Sequence, residues 1–170
     1  MALPPFARWT RLGLVVALLI LAADQASKWW VLSVFDLPSR GRVAIAPFVD
    51  LVMTWNTGIS YGLFPQDGTA GQWILFAIKI GAVLAMLVWL WRVPSRLTAL
   101  GLGLIIGGAL GNAVDRVLHD AVADFVLLYL STASHRYNWY VFNLADVAIV
   151  AGVVGVLYDS IFNGDAVKAP

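Results

Sequence analysis

Four stretches of the chain are almost continuously apolar, and the polar residues gather between them. They run from about Leu12 to Phe35, Gly71 to Trp91, Leu97 to Val114 and Tyr140 to Phe162. A bilayer core about 30 Å thick is crossed by roughly 20 apolar residues in a helix, so each window is near or above spanning length. The pattern predicts four transmembrane helices, 12–35, 71–91, 97–114 and 140–162, in an all-α membrane protein with both termini on one side. A tight junction, Arg92–Arg96 with Pro94, joins the second and third windows, while 36–70 and 115–139 form longer segments.

Both long segments contain a different period. In FVDLVMTWN, Val49, Leu51, Met53 and Trp55 alternate with Asp50, Thr54 and Asn56, which predicts a strand along the membrane surface. In VADFV, Val122, Asp124 and Val126 alternate with Ala123 and Phe125, which fits a short strand or extended piece. The expectation is thus four spans with a small extracytoplasmic β-element. No internal repeat or low-complexity tract divides the chain, so 1–170 reads as a single integral membrane domain.

Composition supports the membrane reading and narrows the chemistry. The chain is 61% hydrophobic and 12% charged, and its mean hydropathy is +0.82, outside the ordinary soluble range. A net charge of +1 gives no reason to expect nucleic acid as partner. There is no cysteine, which excludes disulfides, thiolate catalysis and cysteine-ligated metals, and all ten acids are Asp. His119 and His135 are not spaced as a metal pair and read as loop histidines. Arg8 and Arg11 ahead of an apolar run resemble a cleavable leader, but apolar character resumes at Trp29 to Leu32, so the segment reads as a retained helix. The tight Arg92/Arg96 turn favours cytoplasmic termini, which places both long segments outside.

Polar residues within the spans call for reasons, since each charge there costs a few kcal/mol. Asp24 and Lys28 stand at i and i+4 and can pair on one face of the first helix. Lys79 lies mid-span with no carboxylate at helical spacing and reads as a snorkelling lysine or one facing a water-filled crevice. Gly103, Gly107 and Gly111 make a smooth face for close helix approach. Asn112 shares a face with Asp115 and Arg116 at that helix's outer end. Asn143 followed three residues later by Asp146 has the spacing of a helix-capping box, and a first-turn carboxylate also suits the helix dipole.

Five of these pieces, in order, carry a likeness to a known family. DQASK (Asp24 to Lys28), NTG (Asn56 to Gly58), GGALGNAVDR (Gly107 to Arg116), VADF (Val122 to Phe125) and FNLAD (Phe142 to Asp146), set among four spans, resemble lipoprotein signal peptidase, the type II signal peptidase of bacterial inner membranes. The resemblance implies an aspartic endopeptidase that cuts diacylated prolipoproteins before the lipidated cysteine. It implies Asp124 and Asp146 as the catalytic pair, with Asn56, Gly58, Asn112, Arg116, Asn143, Asp24 and Lys28 around or supporting them. No cofactor or metal is implied. The partners would be the prolipoprotein and membrane lipid, the enzyme a monomer, and the site at the periplasmic face. The residues agree chemically: two close aspartates do not both ionise readily, so one holds a proton while the other activates water. Which Asp is base and which acid stays open at this point. Two other classes compete. A small ion or proton-coupled transporter would use Asp24, Lys28 and Lys79 along a path, and an inert scaffold would explain the glycine face but not Asp124.

Overall fold

Apolar helices that must satisfy every backbone group internally account for most of the chain, and the site is built where they meet a sheet. The computed structural model describes residues 8–57, 69–132 and 134–163, the side chains of 69–76 excepted. Helix α1 is Thr10–Trp29, continued by a π-helical turn over Trp30–Val34. A short α2, Leu37–Arg40, and strands β1, Val43–Ala46, and β2, Val49–Asn56, follow. Then come α3, Thr69–Leu90, and α4, Arg96–His119. Strands β3, Val122–Ser131, and β4, Arg136–Phe142, lead into α5, Leu144–Phe162.

The structure corrects the sequence reading in three places. The fold is mostly helical, not all-α: the four strands form one antiparallel sheet in the order β1-β2-β3-β4. The third apolar helix does not stop near Val114 but runs on to His119, where Asp120 adopts a left-handed φ of 56° and turns the chain into β3. The last helix starts at Leu144 and not at Tyr140, because Tyr140 to Phe142 complete β4 against Val126 and Leu127. Aromatic and β-branched side chains suit that strand, and Asn143 caps the helix behind it. Three helices, Thr10–Val34, Arg96–His119 and Leu144–Phe162, are long and apolar enough to cross a membrane. Within α3 the apolar stretch among the described residues is Ala77–Leu90.

Small residues face inward and large ones outward, the arrangement expected when lipid is the solvent. Gly103 and Gly107 of α4 lie against the backbone of Gly13 and Ala17 in α1, as their spacing predicted. A second small-residue face, Gly101 and Gly108, meets Gly152 and Ala145 of α5. Helix α4 is therefore gripped on two sides, with Leu102 and Ile106 fully buried among Ala17, Val83 and Leu90. By contrast Leu18, Leu19, Val150 and Ile161 are more than 60% exposed. A separate core of Val31, Leu37, Leu51 and Phe125 seats the sheet on the end of α1.

This packing makes a prediction. A Cβ at Gly107 would stand 2.5 Å from the Ala17 carbonyl oxygen, which is backbone and has little freedom to yield. Gly107→Val should force α1 and α4 apart and destabilise the fold by about 1–3 kcal/mol, the usual cost of overpacking. Thermal unfolding in detergent measures it, and an unchanged midpoint would contradict this close approach.

Candidate active site

Local structure explains how α5 delivers its acid. Asn143 accepts from the Asp146 amide at 3.1 Å through its side chain, and the Asp146 carboxylate accepts in return from the Asn143 amide at 3.1 Å. This is the capping box expected from the sequence, and it fixes Asp146 in the first helical turn. The second Asp146 oxygen accepts from Asn112 Nδ2 of α4 at 3.0 Å.

Strand β3 brings Asp124 to the same place. Thr54 and Asn56 of β2 pair with Asp124 and Val122, beyond a register shift between Leu51 and Thr54. Asn56 Nδ2 then donates to Asp124 at 3.1 Å. Asn143 Nδ2 donates to the other Asp124 oxygen at 2.7 Å. One side chain, fully buried Asn143, thus caps α5, holds Asp146 by its backbone and holds Asp124 by its amide. Both carboxylates line one pocket of about 240 Å³, walled by Trp139, Tyr140 and Phe142 of β4 and by Val150 of α5.

Asp124 is 4% exposed, and burial pushes its carboxyl up to about 6. The amides of Asn56 and Asn143 and the charge of Lys28 oppose the rise, while the negative charge of Asp146 adds to it. Asp124 therefore holds its proton to a higher pH than an ordinary carboxyl, up to about pH 6.

Beneath the pair lies a charged layer. Lys28, 3% exposed, pairs with Asp24 at 2.8 Å, as the i and i+4 spacing predicted. It also pairs with Asp115 of α4 at 2.8 Å and donates to Asn112 Oδ1 at 3.1 Å. Since Lys28 and Asn143 Nδ2 both donate to Asn112 Oδ1, the Asn112 amide is oriented with its nitrogen towards Asp146. Asp24 further accepts from the Ala145 amide and Asp115 from the Ala123 amide, each at 3.0 Å. These bonds tie the residue before each pocket aspartate to α1 and α4. Arg116 lies within electrostatic reach of Asp124 and Asp115.

Of the residues singled out in the sequence, the structure gathers Asp24, Lys28, Asn56, Asn112, Arg116, Asp124, Asn143 and Asp146 at one end of the helices. Gly58, with the neighbouring Ile59 to Tyr61, lies outside the described residues. His119 packs its ring 5.2 Å from Trp55, and His135 bonds within the β3–β4 turn. Two participants were not legible as such. Gln25 bridges Asp24, Asp115 and the Gly111 carbonyl from α1. Lys79 of α3 stands within electrostatic reach of Asp146 and Arg116, so it faces the site end of the molecule. The bonds of Gln25 to Gly111 and Asp115 cross from α1 to α4, and Lys79 has no carboxylate at helical spacing, so nothing nearby in the sequence announced either role.

Three helices apolar and long enough to cross a membrane, a small antiparallel sheet and two linked aspartates in one pocket are the features of a membrane protein with a carboxylate-lined site. A family model described as signal peptidase (SPase) II matches residues 16–162. The chain belongs to this family. The lipoprotein signal peptidase of Nitrobacter hamburgensis is 58% identical over 160 residues, covering 94% of this chain and 98% of that one. Its counterpart from Rhodopseudomonas palustris is 52% identical over the same shares. Two solved structures of a bacterial membrane enzyme share the fold at TM-scores of 0.70 and 0.71, with 23% and 21% identity. They cover 89% and 88% of this chain, and 90% and 92% of theirs.

Proposed function

We propose that the protein is an aspartic endopeptidase that removes the signal peptide from diacylglyceryl-modified prolipoproteins by cutting before the lipidated cysteine. The observation that carries this reading is the Asn143 link between Asp124 and Asp146 across a shared pocket. Asp146 acts as base: it takes a proton from water, whose oxygen attacks the scissile carbonyl carbon. Asp124 gives its proton to the carbonyl oxygen as the tetrahedral diol forms. On collapse the diol returns a proton to Asp124, Asp146 passes its proton to the amide nitrogen, and the C–N bond breaks. Asn56, Asn112 and Asn143 position the pair, while Asp24, Lys28, Arg116 and Gly58 support it. A transporter has no support in this setting, because the family is one of peptidases.

On the same reading α3 is a fourth span, and the chain functions as one domain and as a monomer in lipid. On this reading the α3–α4 turn, where Arg92 and Arg96 are exposed, is cytoplasmic, with both termini on the same side and the pocket at the periplasmic face of the inner membrane. The positive-inside tendency of that short turn supports it. A signal peptide is itself an apolar helix, so a pocket at the interface meets its cleavage site without extracting it. Cleavage of a diacylated precursor by the purified protein in detergent, followed by mass spectrometry, tests the function. Absence of a product ending before the modified cysteine would overturn it.

The protonation of Asp124 sets the pH dependence. Its carboxyl sits at about 6, so the proton needed by the carbonyl oxygen is lost as pH rises through that value. kcat/KM, which reports the free enzyme, should decline above about pH 6 towards a tenfold loss per unit, with a titration belonging to the pair. A profile flat from pH 5 to 8 would contradict this assignment.

A further inference from the structure

At the far end of α5 from the pocket lies a second cavity of about 580 Å³. Trp89 of α3, Pro94 and Ser95 of the α3–α4 turn, Thr98 of α4, and Asp159 and Ser160 of α5 line it. Asp159 is 6% exposed. Thr98 Oγ1 donates to one of its oxygens and Asn163 Nδ2 to the other at 2.8 Å, and the Ser95 side chain and the Thr98 backbone N–H bond it as well. All of these groups are neutral, and among the described residues no Lys, Arg or His forms an ion pair with Asp159. A carboxylate held largely out of water by hydrogen bonds alone, with no counter-ion among the described residues, still attracts a cation. Helices α3 and α5 both end at this cavity, and the negative ends of their dipoles add to the attraction. Helix α4 begins there, and its Thr98 amide is shared between the Ser95 cap and Asp159, so its positive end offsets part of this attraction and leaves the rest to a cation.

One face of α5 joins the two cavities. Asp146, Val150, Val153, Leu157 and Ser160 follow each other at three- and four-residue spacing. Val150, Val153 and Leu157 are exposed, so the face is a continuous apolar track with the pocket at one end and Asp159 beside the other. From Asp146 to Asp159 the helix rises about 20 Å at roughly 1.5 Å per residue. A signal peptide has a basic amino-terminal segment, an apolar core of about 7–15 residues and a small-residue stretch before the cut. In helical form its basic residues stand roughly 15–30 Å from the scissile bond.

We propose that the cavity around Asp159 receives a Lys or Arg of the signal peptide's amino-terminal segment, with the peptide's apolar helix lying antiparallel along this face of α5. This rests on the reading of the protein as a signal peptidase. The contact would anchor the substrate at its far end and set the register in which the bond before the lipidated cysteine reaches Asp124 and Asp146.

The test is a cycle of two enzymes and two substrates in detergent micelles. The enzymes are wild type and Asp159→Asn, and the diacylated precursors differ only in whether their amino-terminal Lys and Arg are kept or changed to Gln. With wild type, neutralising the substrate should lower kcat/KM about three- to tenfold, the scale of a partly desolvated ion pair. With Asp159→Asn the two substrates should be cut at equal rates, close to that of wild type on the neutral one. Ser160→Arg, which puts a cation on the cavity rim without touching the Thr98–Asp159 bond, should likewise erase the preference. Equal slowing of both substrates by Asp159→Asn would make Asp159 a structural tie between α4 and α5 and overturn the proposal. Repeating the cycle in micelles with phosphatidylethanolamine or phosphatidylglycerol separates a lipid ammonium from the peptide: an effect that follows the lipid and not the substrate charge also overturns it. Failure of the function itself would show differently, as no cleavage of either substrate by wild type.

Discussion

Asp124→Asn and Asp146→Asn should each reduce cleavage of a diacylated precursor by about a thousandfold or more, the scale of losing a group that moves a proton in the transition state. The two losses should not multiply in the double variant, because the carboxyls act as a unit. Their effects on folding should differ. At Asp124 the change removes a buried charge and keeps an oxygen for one of its two amide donors, Asn56 or Asn143. At Asp146 the new amide nitrogen must face either the Asn143 backbone N–H or Asn112 Nδ2, both donors. Asn112 cannot simply turn over, since its Oδ1 already accepts from Lys28 and Asn143. Asp146→Asn should therefore melt earlier than Asp124→Asn in detergent. Near-normal turnover by either folded variant would end the two-aspartate mechanism.

How much of this arrangement was legible depended on whether a residue's partner lies nearby in the chain. The Asn143–Asp146 box and the Asp24–Lys28 pair are set by helical spacing, and both form as read. The contact between Lys28 and Asp115 crosses from α1 to α4, and no local rule states which helices meet. A signal did exist: Asp115 is the next member of the series Gly103, Gly107, Gly111, and that series is the face that packs on α1. The second series, Gly101 and Gly108, marked the α5 contact in the same way and was hidden among the many glycines of the window.

The sheet was harder to foresee for a related reason. FVDLVMTWN alternates and forms β2, but Asp50 is buried at 2% exposure, where Arg42 and Arg136 from flanking segments reach it. Strand β4 merges into an apolar run that continues to Leu157, so hydropathy alone placed the helix start at Tyr140. The cap at Asn143 was the better boundary marker, because a cap acts on the backbone at its own position whereas hydropathy averages over a window. Asn56 and Asp124 were singled out individually, yet their meeting depends on the β2–β3 register and its irregularity beyond Leu51.

Lys28→Met should be the most damaging single change outside Asp124 and Asp146. The ammonium is 3% exposed and sits between Asp24, fully buried, and Asp115, also 3% exposed. Removing it leaves two carboxylates facing each other out of water, and breaking a buried ion pair from one side costs about 3–5 kcal/mol. The loss also reaches the chemistry: without the Lys28 bond the Asn112 oxygen is held by Asn143 Nδ2 alone, and the placing of its amide nitrogen on Asp146 loosens. A variant that folds should therefore still cleave slowly. Asp24→Asn and Asp115→Asn added to Lys28→Met remove the stranded charges and should recover most of the thermal stability, while leaving Asn112 held by Asn143 alone and activity low. Unfolding midpoints and cleavage rates measured on the same preparations separate the two contributions. If the triple variant regained activity together with stability, Lys28 would serve only to neutralise its two aspartates, and its part in orienting Asn112 would be refuted.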